Sequence, residues 1–172
     1  MRLYVIGAPG SGKSHICKSL SDIWGIPWFD LNDVRFLELT ETSMLDTKRQ
    51  MVALQDWIFE AVFETGIWTE ALEAADVVVI LDTPWPIRVI RVARRFFTTR
   101  LETFRSPRND SETSLGHMLH VAYTTFLYDT RLMPLIQARM VGVSTKTIRL
   151  RRNSDLLKLP ILKDIQQEAD QQ

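Results

Sequence analysis

Eight residues constrain this chain more than all the others. Gly7-Ala8-Pro9-Gly10-Ser11-Gly12-Lys13-Ser14 matches G-x-x-x-x-G-K-[ST] at every fixed position, directly after the apolar run Leu3-Tyr4-Val5-Ile6. A short unbroken apolar run of this kind predicts a buried parallel strand. From Lys13 to about Trp24 the residues Ile16, Leu20 and Ile23 recur at helical spacing, and Gly25 supplies a stop. A glycine loop between strand and helix lets successive backbone N–H groups turn inward around a phosphate, with the positive helix end behind them. The motif therefore predicts nucleotide binding: residues 7–14 cradle phosphates, Lys13 reaches the β- and γ-phosphates, and the Ser14 hydroxyl ligates Mg²⁺. A glycine-rich turn without a ligand is the weaker reading, because the motif sits between a strand and a helix.

The rest of the chain alternates in the same way. Ile26-Pro27-Trp28-Phe29 predicts a second strand, at a sheet edge because of its proline. A helical pattern from about Thr47 to Asp56 precedes a third strand at Trp57-Ile58-Phe59, and Thr69 to Ala75 is a short helix. Val77-Val78-Val79-Ile80-Leu81 is the least ambiguous strand. Pro84 and Pro86 fit the first turn of a helix running through Arg95 or beyond. The polar run 105–114 predicts a loop, Leu115 to Met140 one long helix, and Thr145 to Leu150 a fifth strand; from Asp155 the chain looks helical and then frays. Five strands with intervening helices predict a three-layer α/β/α domain with a mainly parallel sheet, and 172 residues suffice for one such domain.

Charge divides the chain. Lys plus Arg and Asp plus Glu number 21 each, so a generally basic nucleic-acid binder is excluded and only a local patch could contact a polyanion. Between Ser19 and Asp46 six acids face one base, Arg35, whereas between Arg88 and Arg108 seven arginines face one acid, Glu102. Either could be a solvated face. The number of arginines, with no lysine among them, favours an anionic ligand, since guanidinium makes planar bidentate contacts to phosphate. At helical spacing Arg88, Arg91 and Arg95 share a narrow arc, while Ile87, Ile90 and Phe97 turn elsewhere. No apolar run approaches a membrane span, the N-terminal sequence lacks signal-peptide form, and the lone Cys17 fits a reducing cytoplasm.

Neither the D-x-x-G nor the N-K-x-D motif of a GTPase occurs. A kinase of small molecules or nucleotides needs less: a phosphate loop, an acceptor pocket and an arginine-rich lid. GAPGSGKS, EAADVVVILDTPWPIRVIRVARR and WIFEAVF resemble the adenylate-kinase-like P-loop kinases, and among them the small bacterial DNA topology modulation proteins. The resemblance spans most of residues 1–150. It implies a phosphotransferase that moves the γ-phosphoryl group of ATP to a nucleotide or small hydroxylated acceptor, with Mg²⁺. It further implies a lid at about 96–114 and lid arginines seven and eleven residues after Pro84, which are Arg91 and Arg95. Asn153 and Ser154 would fall in the adenine-side loop by resemblance alone. The chain departs from the family where Glu60-Ala61 and Phe63 replace a D-G or E-G pair and a tyrosine, and where Asn32 replaces an aspartate.

Single residues carry expectations of their own. Asp30, Asp33 and Glu60 are candidates for holding acceptor hydroxyls, with solvated carboxylates as the alternative; Glu60 could also orient Mg²⁺-bound water. Asp82 is read as a turn or capping residue as readily as a strand-end metal aspartate. His117 and His120 lack the further ligands that zinc requires. The five tryptophans are read chiefly as packing residues, one or two of which could line the acceptor cleft, and Cys17 as core. Two other functions stay open: a nucleotide-dependent regulatory or DNA-associated protein without acceptor chemistry, and a simple ATPase.

Overall fold

The computed structural model describes residues 1–31, 41–61, 69–105, 115–140 and 146–151. Five strands, β1 (Arg2–Gly7), β2 (Trp28–Asp30), β3 (Trp57–Ala61), β4 (Val77–Leu81) and β5 (Lys146–Leu150), form one sheet in the order β2-β3-β1-β4-β5. Every pairing is parallel. The helices are α1 (Lys13–Trp24), α2 (Glu41–Val52), α3 (Thr69–Ala74), α4 (Trp85–Arg105), α5 (Leu115–Leu127) and α6 (Met133–Met140). The architecture is the expected three-layer α/β sandwich, with β2 at the edge as expected, although the strand begins at Trp28 and Pro27 lies just before it.

The strand period of two builds both core layers. Tyr4 and Ile6 of β1 join Trp57, Phe59, Val78 and Ile80 on one face, with Leu72 of α3 and Ile136 of α6 packed over them. Leu3 and Val5 join Ile58, Val79 and Leu81 on the other, covered by Ile16, Cys17 and Leu20 of α1. Each of these side chains, fully buried, contributes about 1.5–3 kcal/mol. The strands run in one direction, so Gly7, Asp30, Glu60 and Leu81 all lie at the same edge of the sheet. The chain passes from β1 to one side and later crosses to β4 on the other. The loop after β1 therefore sits where ligands bind in open α/β sheets.

Four details differ from the sequence expectation. Ile23 is 53% exposed rather than on the buried face, because Trp24 and Ile26 pack against the core at that end of α1. The helix before β3 covers Glu41–Val52 and stops short of Asp56, whose carboxylate instead pairs with the amino group of Met1. The long helix expected over 115–140 is divided by a π turn at Tyr128–Leu132, where the Met133 N–H donates to the Tyr128 carbonyl five residues back. Pro134 has no N–H and its ring crowds the preceding turn, and a local widening is how a helix absorbs this.

The fourth difference concerns the arginine arc. Arg88 is wholly buried rather than part of a basic face. It donates to Asp129 in the π turn, and its guanidinium lies over the Tyr128 ring at 5.4 Å. Ile87, Ile90 and Phe97 do turn away from it and are exposed.

Candidate functional site

The phosphate-binding motif folds as a tight loop from Gly7 to Ser14. Gly10 has φ +76°, and a Cβ there would stand 2.6 Å from the Arg88 carbonyl oxygen; only glycine lets α4 approach so closely. Gly12, at φ +93°, caps α1. The Ser11 N–H donates to the Ala8 carbonyl at 3.1 Å, and Lys13 Nζ donates to the same carbonyl at 3.1 Å. Further along, Thr125 Oγ1 donates to the Pro9 carbonyl at 3.5 Å, and Arg91 Nη1 to those of Gly10 at 3.3 Å and Ser11 at 2.9 Å. Thr83 Oγ1 also donates to Ser11, at 3.2 Å. Every carbonyl from Ala8 to Ser11 thus accepts a hydrogen bond, which leaves the loop's N–H groups as its donors toward an anion.

The other wall is acidic. Asp30 of β2 and Glu60 of β3 are register partners, so their side chains leave neighbouring strands on the same side. Ser14 Oγ donates to Glu60 Oε1 at 2.7 Å, joining the last residue of the motif to the end of β3. Glu60 is 3% exposed, and its second oxygen, Oε2, is buried with no hydrogen-bond partner among the described residues. Burial pushes its carboxyl above the ordinary glutamate range, against the pull of the Ser14 hydrogen bond and the Lys13 charge. Burial likewise lowers Lys13, opposed chiefly by Glu60. These two charges hold each other in a place where either alone would be costly.

Between the walls lies a cavity of about 460 Å³. Its lining includes Gly10, Gly12, Lys13 and Ser14 of the loop, both carboxylates, Arg91 and Arg95. Val92, Phe96, Met118 and Val121 add an apolar roof from α4 and α5, the two helices that flank residues 106–114. The residues also fit a Mg²⁺ ion. A buried carboxylate oxygen without a partner beside a hydroxyl is the donor set such an ion takes, the phosphates and water completing its shell.

Many of the sequence candidates meet here: Pro9, Gly10, Gly12, Lys13 and Ser14 of the loop line one cavity with Asp30, Glu60, Arg91 and Arg95, whereas Gly7, Ala8 and Ser11 are not part of its lining. Asn32, Asp33, Phe63, Trp68, Asn153 and Ser154 lie outside the described residues. Asp82 is occupied as an ion-pair acceptor for Arg149, whose Nη2 stands 2.9 Å away, with Arg151 at 3.8 Å. None of Trp24, Trp28, Trp57 and Trp85 lines the cavity, and Cys17 is buried in the core. Thr83 and Thr125 escape a reading from sequence, and Arg88 is misread there as part of the basic arc. A lone threonine carries no periodicity or motif, and Arg88 differs from its neighbours only in which way it turns.

No family model matches the chain, and no curated protein matches it. Solved structures do. Shikimate kinase from Acinetobacter baumannii, determined with shikimate, superposes with TM-score 0.54 at 16% identity, over 97% of this chain and 93% of that one. Deoxyadenosine kinase from M. mycoides, determined with its products dCMP and dCDP, gives TM-score 0.54 at 13% identity, over 97% and 100% of the two chains. The chain therefore has the fold of P-loop kinases. At such identities the likeness speaks for the fold alone.

Proposed function

We propose that this protein is an ATP-dependent phosphotransferase that moves the γ-phosphoryl group to a hydroxyl of a nucleotide or small hydroxylated acceptor. The observation that carries the reading is the Ser14–Glu60 hydrogen bond at 2.7 Å, with Glu60 Oε2 buried and without a hydrogen-bond partner among the described residues. A loop that bound phosphate only as a structural anchor would need no buried acid beside it. The kinase fold supports the same reading, as do the two kinases it resembles, one acting on a hydroxylated carboxylate and one on a nucleoside.

In this mechanism Lys13 and the loop amides hold the β- and γ-phosphates, and Ser14 with Glu60 holds Mg²⁺. The metal, when bound, neutralises charge on those phosphates. Asp30 accepts the acceptor hydroxyl's proton as its oxygen bonds to the γ-phosphorus, and the bridging bond breaks to release ADP. Arg91 and Arg95 supply the cationic wall on the opposite side, over the transferring group. We read residues 1–172 as one domain with its lid at about 96–114, of which 96–105 continue α4. The lone cysteine favours the cytoplasm. Kinship with the DNA topology modulation proteins rests on the sequence motifs.

Turnover against a panel of nucleosides, nucleoside monophosphates and hydroxylated carboxylates, followed by ADP release, tests this. Acceptor-stimulated release by one panel class is the expected result. ADP release that no acceptor stimulates would replace the kinase with an ATPase, and nucleotide binding without release would favour a regulatory protein.

A further inference from the structure

The charges that line the cavity are unevenly placed. Among the described residues three cations, Lys13, Arg91 and Arg95, stand against two carboxylates, Asp30 and Glu60. Two of those cations are tied to the phosphate loop: Lys13 donates to the Ala8 carbonyl, and Arg91 to those of Gly10 and Ser11. The carboxylates are register partners at the ends of β2 and β3 and occupy the far wall together. The roof is apolar, with Val92 and Phe96 from α4 and Met118 and Val121 from α5, and adds one hydroxyl, that of Thr99. No described residue of β4 or β5 lines the cavity, so it lies on the β2–β3 side of the loop.

We propose that the acceptor is a small alcohol with an apolar face and no anionic group: a nucleoside rather than a nucleotide, an uncharged alcohol rather than a hydroxylated carboxylate. This rests on reading the protein as a kinase and names the class of molecule that enters the same site. The physical reason is the charge balance once the donor is bound. The triphosphate of ATP brings roughly four negative charges and Mg²⁺ about two positive ones, more than the single surplus cation of the lining offsets. Even a protonated His15, also in the lining, would only bring that site to neutrality. A monophosphate would add about 1.5 to 2 further negative charges, and against the far wall it would meet two like charges at Asp30 and Glu60. A hydroxyl adds none. It gives its proton to Asp30 as its oxygen bonds to the γ-phosphorus, while Val92, Phe96, Met118 and Val121 cover an apolar face of the same molecule.

Matched acceptor pairs that differ in one anionic group test this, with ATP and Mg²⁺ saturating and ADP release followed. Deoxycytidine and adenosine are compared with their 5′-monophosphates, and methyl shikimate with shikimate. In every pair that stimulates release, the uncharged member should show kcat/KM about tenfold or more above its anionic counterpart, as like charges at close range require. Met118→Lys places a cation in the roof and should narrow that ratio by about tenfold. Val121→Lys makes the same comparison where the first variant fails to fold. An anionic member that serves as well as or better than its uncharged counterpart would overturn the proposal and leave the kinase reading standing. So would a ratio that neither lysine variant moves. Release that no member of any pair stimulates would instead sink the kinase reading, and the acceptor class with it.

Discussion

The two walls of the cavity are finished to different degrees. On the loop wall every carbonyl from Ala8 to Ser11 has a donor, supplied by Lys13, Thr125, Arg91, Thr83 and the loop itself. On the acidic wall two carboxylates stand side by side, and one buried oxygen of Glu60 has no hydrogen-bond partner among the described residues. On the proposed function, the loop wall would bind phosphate without rearrangement, and the acidic wall would complete its electrostatics when a cation and an acceptor arrive. The difference teaches where energy has been spent in advance. The loop wall is preorganised by folding, whereas the acidic wall holds its charges against a desolvation cost that ligands relieve.

This contrast can be broken most severely at Arg95. Arg95→Ala should lower turnover by about 10³-fold or more while leaving ADP affinity within about threefold, because it acts on charge that develops during transfer. Equal losses in both would place it among the ground-state binders. Next in size is the buried Arg88, whose guanidinium pairs with the exposed Asp129. Arg88→Ala removes a wholly buried side chain from Tyr128 and Asp129 and should destabilise the protein by about 3 kcal/mol in denaturant unfolding. A loss under about 1 kcal/mol would show that the π turn holds without it.

On the acidic wall, Asp30→Asn should cost about 10²-fold in turnover with nucleotide affinity unchanged, as removal of a general base does. A parallel fall in ADP binding would make Asp30 part of the metal site instead. The smallest effect concerns Glu60 and pH. Burial holds its carboxyl above the ordinary value, so it takes up a proton at higher pH than an exposed glutamate. Its carboxylate is present above that raised pKa and lost as the pH falls through it. The gain in ADP affinity from Mg²⁺ should therefore fade on acidification sooner than surface acids titrate. In Glu60→Gln the gain should be a few-fold smaller and flat with pH, as titrations with and without Mg²⁺ from about pH 8 to about pH 5 would reveal.

Much of this was legible in the chain. Leu3 to Ile6, Val77 to Leu81 and the glycine loop announce themselves because a parallel strand buried on both faces must be apolar throughout, and because left-handed loop positions demand glycine. The carboxylates at 30 and 60 were legible as candidates because each ends an apolar run, and a charge there lies at the edge of the sheet. The limits of the helices were less so. Asp56 looked helical and pairs with the chain's first amino group, 55 residues away in sequence. Pro134 was visible, but whether it would break, kink or widen its helix depended on what packed around Tyr128.

By itself, then, the sequence determined the layer order, the phosphate loop and the chemical types at the site, since these follow from local periodicity and from backbone conformations few residues can adopt. Only the tertiary structure decided how the chemistry is shared out. Arg88, Arg91 and Arg95 follow one helical spacing in the chain. In the folded protein Arg88 is buried against a π turn, whereas Arg91 and Arg95 both line the cavity and Arg91 also donates to the loop's carbonyls. Spacing sets the angle at which a side chain leaves its helix. What it meets there is set by contacts between residues far apart in sequence, and those carry no local signature.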